Sequence, residues 1–145
     1  MLTKVDSLQG VAFTGSLTTA KKIQSNLIEH QNQIVPLIAE TGGINSMLVD
    51  SSALLEQVTD DVIRSAFDSA GQRCSALRVL CIQEEIYEEL VDMIKGNMIT
   101  QKIGDPNYFD TDIGPIINKE AILNLNKYIE ECREQEFDVF QTFKH

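Results

Sequence analysis

The strongest constraint on the fold is an apolar pattern that changes period twice within the middle third of the chain. Ser46 to Val49 is an apolar run of strand length. Leu55, Val58, Val62, Ala66 and Phe67 then fall on one face of a helix, with Asp60, Asp61 and Arg64 elsewhere. That helix is expected to stop near Gly71. Arg78 to Ile82 returns to a β-branched, apolar strand. Strands alternating with helices in this way predict α/β units.

The alternation extends in both directions. Val11-Ala12-Phe13 reads as a buried strand ending at Thr14-Gly15-Ser16, and Ala20, Ile23, Leu27 and Ile28 then recur at helical spacing. Ile34 to Ala39 reads as a second strand, with Pro36 arguing for an edge position or an irregular start. Gly42-Gly43 breaks that pattern. On the other side, Ile86, Leu90, Val91 and Ile94 mark a further helix, residues 104–115 a loop, and Ile122, Leu123, Leu125 and Ile129 a last helix. The pattern fades beyond Cys132, so a poorly ordered tail is expected over residues 134–145.

Charge and cysteine usage exclude several function classes. Twenty-two acidic against twelve basic residues give a formal charge of −10. Nucleic acids and anionic membrane surfaces call for the opposite sign, so neither is an expected partner. The three cysteines, Cys74, Cys81 and Cys132, are odd in number and lack CxxC spacing, and only two histidines are present. No metal site or disulfide framework is therefore expected, and a reducing cytoplasm is the implied compartment. The first ten residues lack the charged start and apolar run of a signal peptide. No stretch approaches the roughly 20 apolar residues of a membrane span.

Three local features carry chemistry. Cys74 lies beside Arg73 in a helix-to-strand connection, where positive charge stabilises a thiolate. Taken alone, an inert buried cysteine is the commoner fate. Glu40 sits between an apolar strand and Gly42-Gly43, placed to act as a general base on water or simply to face solvent. Phe13-Thr14-Gly15-Ser16 joins a strand to a helix start, a geometry that suits an anion or a dinucleotide. Such joints are common, and the chain has no GxGxxG.

Together, Phe13-Thr14-Gly15-Ser16, Glu40-Thr41-Gly42-Gly43 and Gly71-Gln72-Arg73-Cys74 resemble, in order and spacing, the pattern of the aldehyde dehydrogenase superfamily. Ile103-Gly104-Asp105-Pro106 and Thr111-Asp112-Ile113-Gly114-Pro115 are similar to its later segments, so the likeness spans about residues 8–132. Three longer stretches, residues 36–43, 49–54 and 65–80, are closest to the L-glutamate γ-semialdehyde (1-pyrroline-5-carboxylate) dehydrogenase domain of the bacterial proline utilization A group. Ala20, where most of the superfamily has glycine, also fits that group.

The resemblance implies a mechanism and a domain plan. Cys74 would be the nucleophile, Glu40 the base that activates the hydrolytic water, and the Cys74 N–H half of an oxyanion hole. Arg73 and Ser75 would contact a substrate carboxylate, and Gly15, Ser16, Thr41 and Gly42 would lie against NAD, with NADP left open. Residues 1–39 would be the end of a Rossmann-type NAD(P)-binding domain, and residues 40–133 part of the parallel-sheet catalytic domain that holds Cys74. Cys81 and Cys132 read as structural.

Superfamily members are several times longer. The segments that bind the adenosine half of the cofactor, the second oxyanion donor and the oligomerisation hairpin fall outside the pattern present here. Two readings follow. The chain is a fragment of a cytoplasmic, bacterial enzyme that oxidises glutamate semialdehyde to glutamate in proline catabolism. Alternatively, it is a truncated or split gene product, folded but silent, acting at most in assembly. Self-association, or pairing with the remainder of the enzyme, is expected from uncovered apolar surface.

Overall fold

The computed structural model describes residues 2–142. Its backbone forms two compact units, Met1–Gly43 and Ile44–His145.

The first unit is a strand–helix–strand motif preceded by a 3-10 turn, Leu2–Lys4. Strand β1 (Val11–Thr14) pairs in parallel with β2 (Leu37–Glu40), and helix α1 (Leu17–His30) connects them. Ser16 caps α1, its side chain accepting from the Thr19 N–H at 3.2 Å. At the other end the Gln31 N–H returns to Leu27 O at 3.0 Å. The Gln31 side-chain amide donates to Thr3 O and Val5 O, which ties the first residues to the end of α1. Ala20 and Leu27 are the buried residues of the helix, both on the expected face.

Strand β2 is shorter than the apolar run predicts because Pro36 cannot donate to a ladder. Pro36 contributes only its carbonyl, which accepts from the Val11 N–H at 2.9 Å, and regular pairing begins one residue later. Glu40 pairs opposite Thr14, so this residue belongs to the first unit's sheet, and the unit runs on to Gly43.

The second unit repeats the plan. Strand β3 (Asn45–Val49), helix α2 (Leu55–Phe67) and β4 (Leu77–Ile82) form a parallel pair with a helical crossover. Helix α3 (Tyr87–Thr100) packs against α2, burying Leu90 completely. The buried face of α2 is Thr59, Val62 and Ile63, while Leu55, Val58, Ala66 and Phe67 are half-buried. The face is therefore rotated from the apolar stripe read in sequence. Thr59 can lie inside because its hydroxyl donates to Leu55 O at 2.8 Å and needs no other partner.

Beyond α3, the 102–113 loop closes on itself. Ile103 bridges Ile113, Lys102 N–H donates to the Asp112 carboxylate at 2.8 Å, and Asp105 caps the turn at Asn107. Helix α4 (Lys119–Glu134) starts at Asn118, whose side chain accepts from Ala121 N–H at 2.8 Å. It ends where Glu136 adopts a φ of 61° and Phe137 N–H returns to Cys132 O at 3.0 Å. Residues 137–142 have no regular structure but are tied down. Asp138 lies 3.7 Å from the Lys95 ammonium, which sits 5.6 Å above the Phe140 ring. Residues 143–145, part of the tail expected to be loose, lie outside the described residues.

Candidate active site

The two halves of the predicted site fall in different units. In the first, the C-terminal ends of β1 and β2 lie side by side, the edge where parallel sheets commonly receive ligands. The Gly15 N–H donates to Glu40 O at 3.0 Å, so Gly15, Ser16 and Glu40 come together, with Thr41 and Gly42 next along the chain. The Glu40 side chain is exposed. A Cβ added at Gly15 would meet the tip of the Phe13 ring at 2.6 Å, so the ring would have to swing aside. At Gly42 an added Cβ would meet no atom within 4 Å.

The start of α1 suits an anion in kind. Its first-turn N–H groups have no helical acceptor, and the helix dipole is positive there. The Ser16 hydroxyl, however, accepts from Thr19 N–H and donates to the Thr19 hydroxyl at 2.9 Å. Any phosphate contact here would rest chiefly on backbone donors.

In the second unit, Cys74 sits in the connection between α2 and β4. Helix α2 ends at Phe67, earlier than the expected stop, because Ser69, Ala70 and Gly71 adopt left-handed backbone with φ of 56°, 54° and 65°. The chain reverses there through a short 3-10 turn, Asp68–Gly71. The Ala76 N–H then donates to Arg73 O at 3.2 Å, making a turn with Cys74 and Ser75 at its centre. Arg73, Cys74 and Ser75 are all exposed, whereas Ala76 and Leu77 are buried and anchor the exit.

Arg73 and Ser75 line an open cleft of about 450 Å³ together with Met47, Asp61, Arg64 and Asp68. The Cys74 side chain is not among its walls. The cleft therefore gathers the two residues expected to hold a substrate carboxylate, with a second arginine beside them. Its two aspartates partly oppose that charge.

Three residues that sequence reasoning assigned no role hold this turn. Asn45 donates its side-chain amide to Cys74 O at 2.7 Å and to Ala76 O at 2.9 Å. Arg78 reaches back to Gly71 O at 2.6 Å. Gln72 accepts from Ile117 N–H at 2.8 Å and donates to Pro115 O at 3.3 Å, joining the turn to the segment before α4. No periodicity marks such residues. Their one sequence signal is that each lies within or next to a matched motif.

The other cysteines lie outside this turn. Cys81 is exposed on β4 and Cys132 is half-buried in α4. Among the described residues, no group of three or more His, Cys, Asp or Glu side chains could hold a metal, and no helix is long and apolar enough to cross a membrane.

Comparison with known proteins now decides the family. The model of the aldehyde dehydrogenase family matches residues 1–142. The chain belongs to the aldehyde dehydrogenase family.

Among relatives within that family, bifunctional protein PutA of Escherichia coli K12 is 50% identical over 146 residues, covering 99% of this chain and 11% of that protein. A 1-pyrroline-5-carboxylate dehydrogenase of Bacillus subtilis is 33% identical over 83% of this chain and 24% of its own length. In structure, a variant of proline utilization A from Bradyrhizobium japonicum matches with a TM-score of 0.87 at 47% identity, over 92% of this chain and 14% of that one. A betaine aldehyde dehydrogenase from Staphylococcus aureus, solved in complex with NAD+, matches with a TM-score of 0.85 at 25% identity, over 92% of this chain and 27% of that one. The chain thus spans about a tenth of the PutA relatives it matches. These matches agree with the α/β class expected from the sequence.

Proposed function

We propose that the chain carries the nucleophile-bearing part of an NAD(P)-dependent enzyme that oxidises L-glutamate γ-semialdehyde to glutamate in proline catabolism. The observation that carries this reading is the exposure of Cys74 at the centre of a turn whose backbone carbonyls are held by Asn45 and Arg78. Cys81 is equally exposed, so what sets Cys74 apart is the hold on its turn, which a structural cysteine would not need. The likeness to PutA and to a 1-pyrroline-5-carboxylate dehydrogenase supports the substrate.

In this reading the Cys74 thiolate adds to the aldehyde carbon, and the resulting oxyanion takes a hydrogen bond from the Cys74 N–H. A nicotinamide cofactor held by the Gly15-Ser16 and Thr41-Gly42 segments would supply the hydride acceptor, and Cys74 Sγ would keep the acyl group as a thioester. Glu40 removes a proton from water, the hydroxide attacks the thioester, and glutamate leaves as the thiolate is restored. Arg73 and Ser75 hold the far carboxylate of the substrate, a role supported by their shared cleft. Gly15 and Ser16, with Thr41 and Gly42, would face the cofactor, with backbone donors of α1 taking the phosphates.

The second reading, a folded but silent module, is favoured by one observation. Each sheet has two strands, and Ile38 and Leu48 on them are 64% and 80% exposed. Surface of this kind suits pairing with the remainder of an enzyme or with a second copy. We assign the chain to a bacterial cytoplasm, a reading supported by the bacterial organisms of its relatives and by its free cysteines.

The test is direct. The isolated chain is mixed with glutamate semialdehyde and NAD while NADH formation is followed, and NAD binding is titrated by calorimetry. Turnover would establish an autonomous enzyme, and saturable binding without turnover an intact cofactor site only. Neither, together with a self-associating or partner-dependent species on sizing chromatography, would favour the silent module.

A further inference from the structure

We infer that Asn45 and Arg78 are positioning residues that set the conformation of the Cys74 turn, an inference that rests on the nucleophile reading above. The turn has little to hold it by itself. It follows three consecutive left-handed residues, two of them not glycine, a backbone that persists only where its surroundings impose it. Its own backbone hydrogen bond is a single one, Ala76 N–H to Arg73 O, at the upper end of the usual range at 3.2 Å.

The holding groups come from the sheet. β3 and β4 pair with a register irregularity between Asn45 and Ser46: Asn45 lies opposite Leu77, and Ser46 opposite Val79. Arg78 is therefore the extra residue of a bulge. Bulges re-aim side chains, and this one sends the Arg78 guanidinium back along the chain, where Nη2 meets Gly71 O at 2.6 Å and Arg73 O at 3.4 Å. Asn45, on the facing rung, uses its amide nitrogen to bracket the turn from Cys74 O to Ala76 O.

Four carbonyls, those of Gly71, Arg73, Cys74 and Ala76, are thus drawn toward two side chains rooted at one rung of the ladder. The turn's own bond uses the Ala76 N–H, so it does not consume the N–H groups of Cys74 and Ser75, its central residues. A rigid strand end thereby fixes a loop that carries chemistry, which a loop could not do for itself. Asn45 and Arg78 act through Cys74 and need touch no substrate.

The experiment uses the full chain, iodoacetamide as probe and Cys81 as internal control, since Cys74 and Cys81 are both exposed. Alkylation rates at each cysteine are read by mass spectrometry for the unsubstituted chain, Asn45→Asp and Arg78→Met. Carbonyl 13C shifts of Cys74 and Ala76 report the hold itself. Asn45→Asp keeps the shape but replaces the donor with a carboxylate facing two carbonyl oxygens. The expected result is that each substitution lowers the Cys74 rate by about three- to tenfold, the weight of one or two hydrogen bonds on the turn, while the Cys81 rate stays fixed. The Cys74 and Ala76 carbonyl shifts should move in Asn45→Asp. A Cys74 rate advantage that survives both substitutions would overturn this inference and leave the nucleophile reading intact. Equal rates at Cys74 and Cys81 in the unsubstituted chain would overturn both.

Discussion

Replacing Gly71 by alanine should destabilise the second unit, and the structure gives both sign and size. Gly71 has a φ of +65°, and an added Cβ would lie 2.8 Å from Ala66 O and 3.2 Å from the Arg78 guanidinium. The nearer atom is backbone in the last turn of α2, so it cannot swing aside. Left-handed backbone at a residue with a Cβ costs about 1–2 kcal/mol. Forcing a methyl into an occupied space adds about 1–3 kcal/mol. The reduced freedom of the unfolded chain returns about 0.4–1 kcal/mol. The net loss is therefore about 2–4 kcal/mol, taking the middle of these ranges. Ala70, with a φ of 54°, supplies the opposite experiment. Ala70→Gly relieves similar strain and should be neutral or stabilising by up to about 1 kcal/mol. The assay is native-state hydrogen exchange at Val62, Ile63 and Leu90, buried positions whose opening reports this unit rather than the whole chain. Gly71→Ala within about 0.5 kcal/mol of the parent would refute the reasoning, as the strain and the clash would then both be absent.

Three further outcomes are expected. Leu90→Ala removes the one large side chain that is fully buried among the described residues and should lower the same exchange-derived stability by about 2–5 kcal/mol. Ser16→Ala removes the α1 cap, and should reduce stability of the first unit by about 1 kcal/mol, read as faster exchange at Ala20 and Leu27. The Ser52 hydroxyl and then its N–H, both donating to Asp50, hold the Asp50 carboxyl below its ordinary value. Its folded value is the lower one, so its contribution is fully present above about pH 4 and fades as pH falls through the folded value. An acid titration of stability should show that loss in the parent chain and a flatter limb in Asp50→Asn.

Both strand–helix–strand motifs were legible in the sequence because hydrophobic period follows directly from backbone geometry. Val11-Ala12-Phe13 and Arg78 to Ile82 lie within observed strands, and of the α1 stripe Ala20 and Leu27 are buried, Ile23 is half-buried and Ile28 is exposed. The buried face of α2 was misplaced by a fraction of a turn. A threonine that satisfies its own hydroxyl within the helix looks polar in sequence and behaves as core in the fold. The early end of α2 was missed because neither Ser69 nor Ala70 announces left-handed backbone.

The feature that placed the candidate site was the order and spacing of Gly15-Ser16, Glu40 and Cys74, and the sequence determined that much alone. Residue identity and separation survive in a linear string. What the tertiary structure decided is how Cys74 is presented. Asn45 is distant from Cys74 along the chain, and Arg78 points backward only because a bulge turns it. Hydrogen bonds between distant backbone carbonyls and side chains have no period and no local signature. They exist only once parallel pairing has brought β3 beside β4.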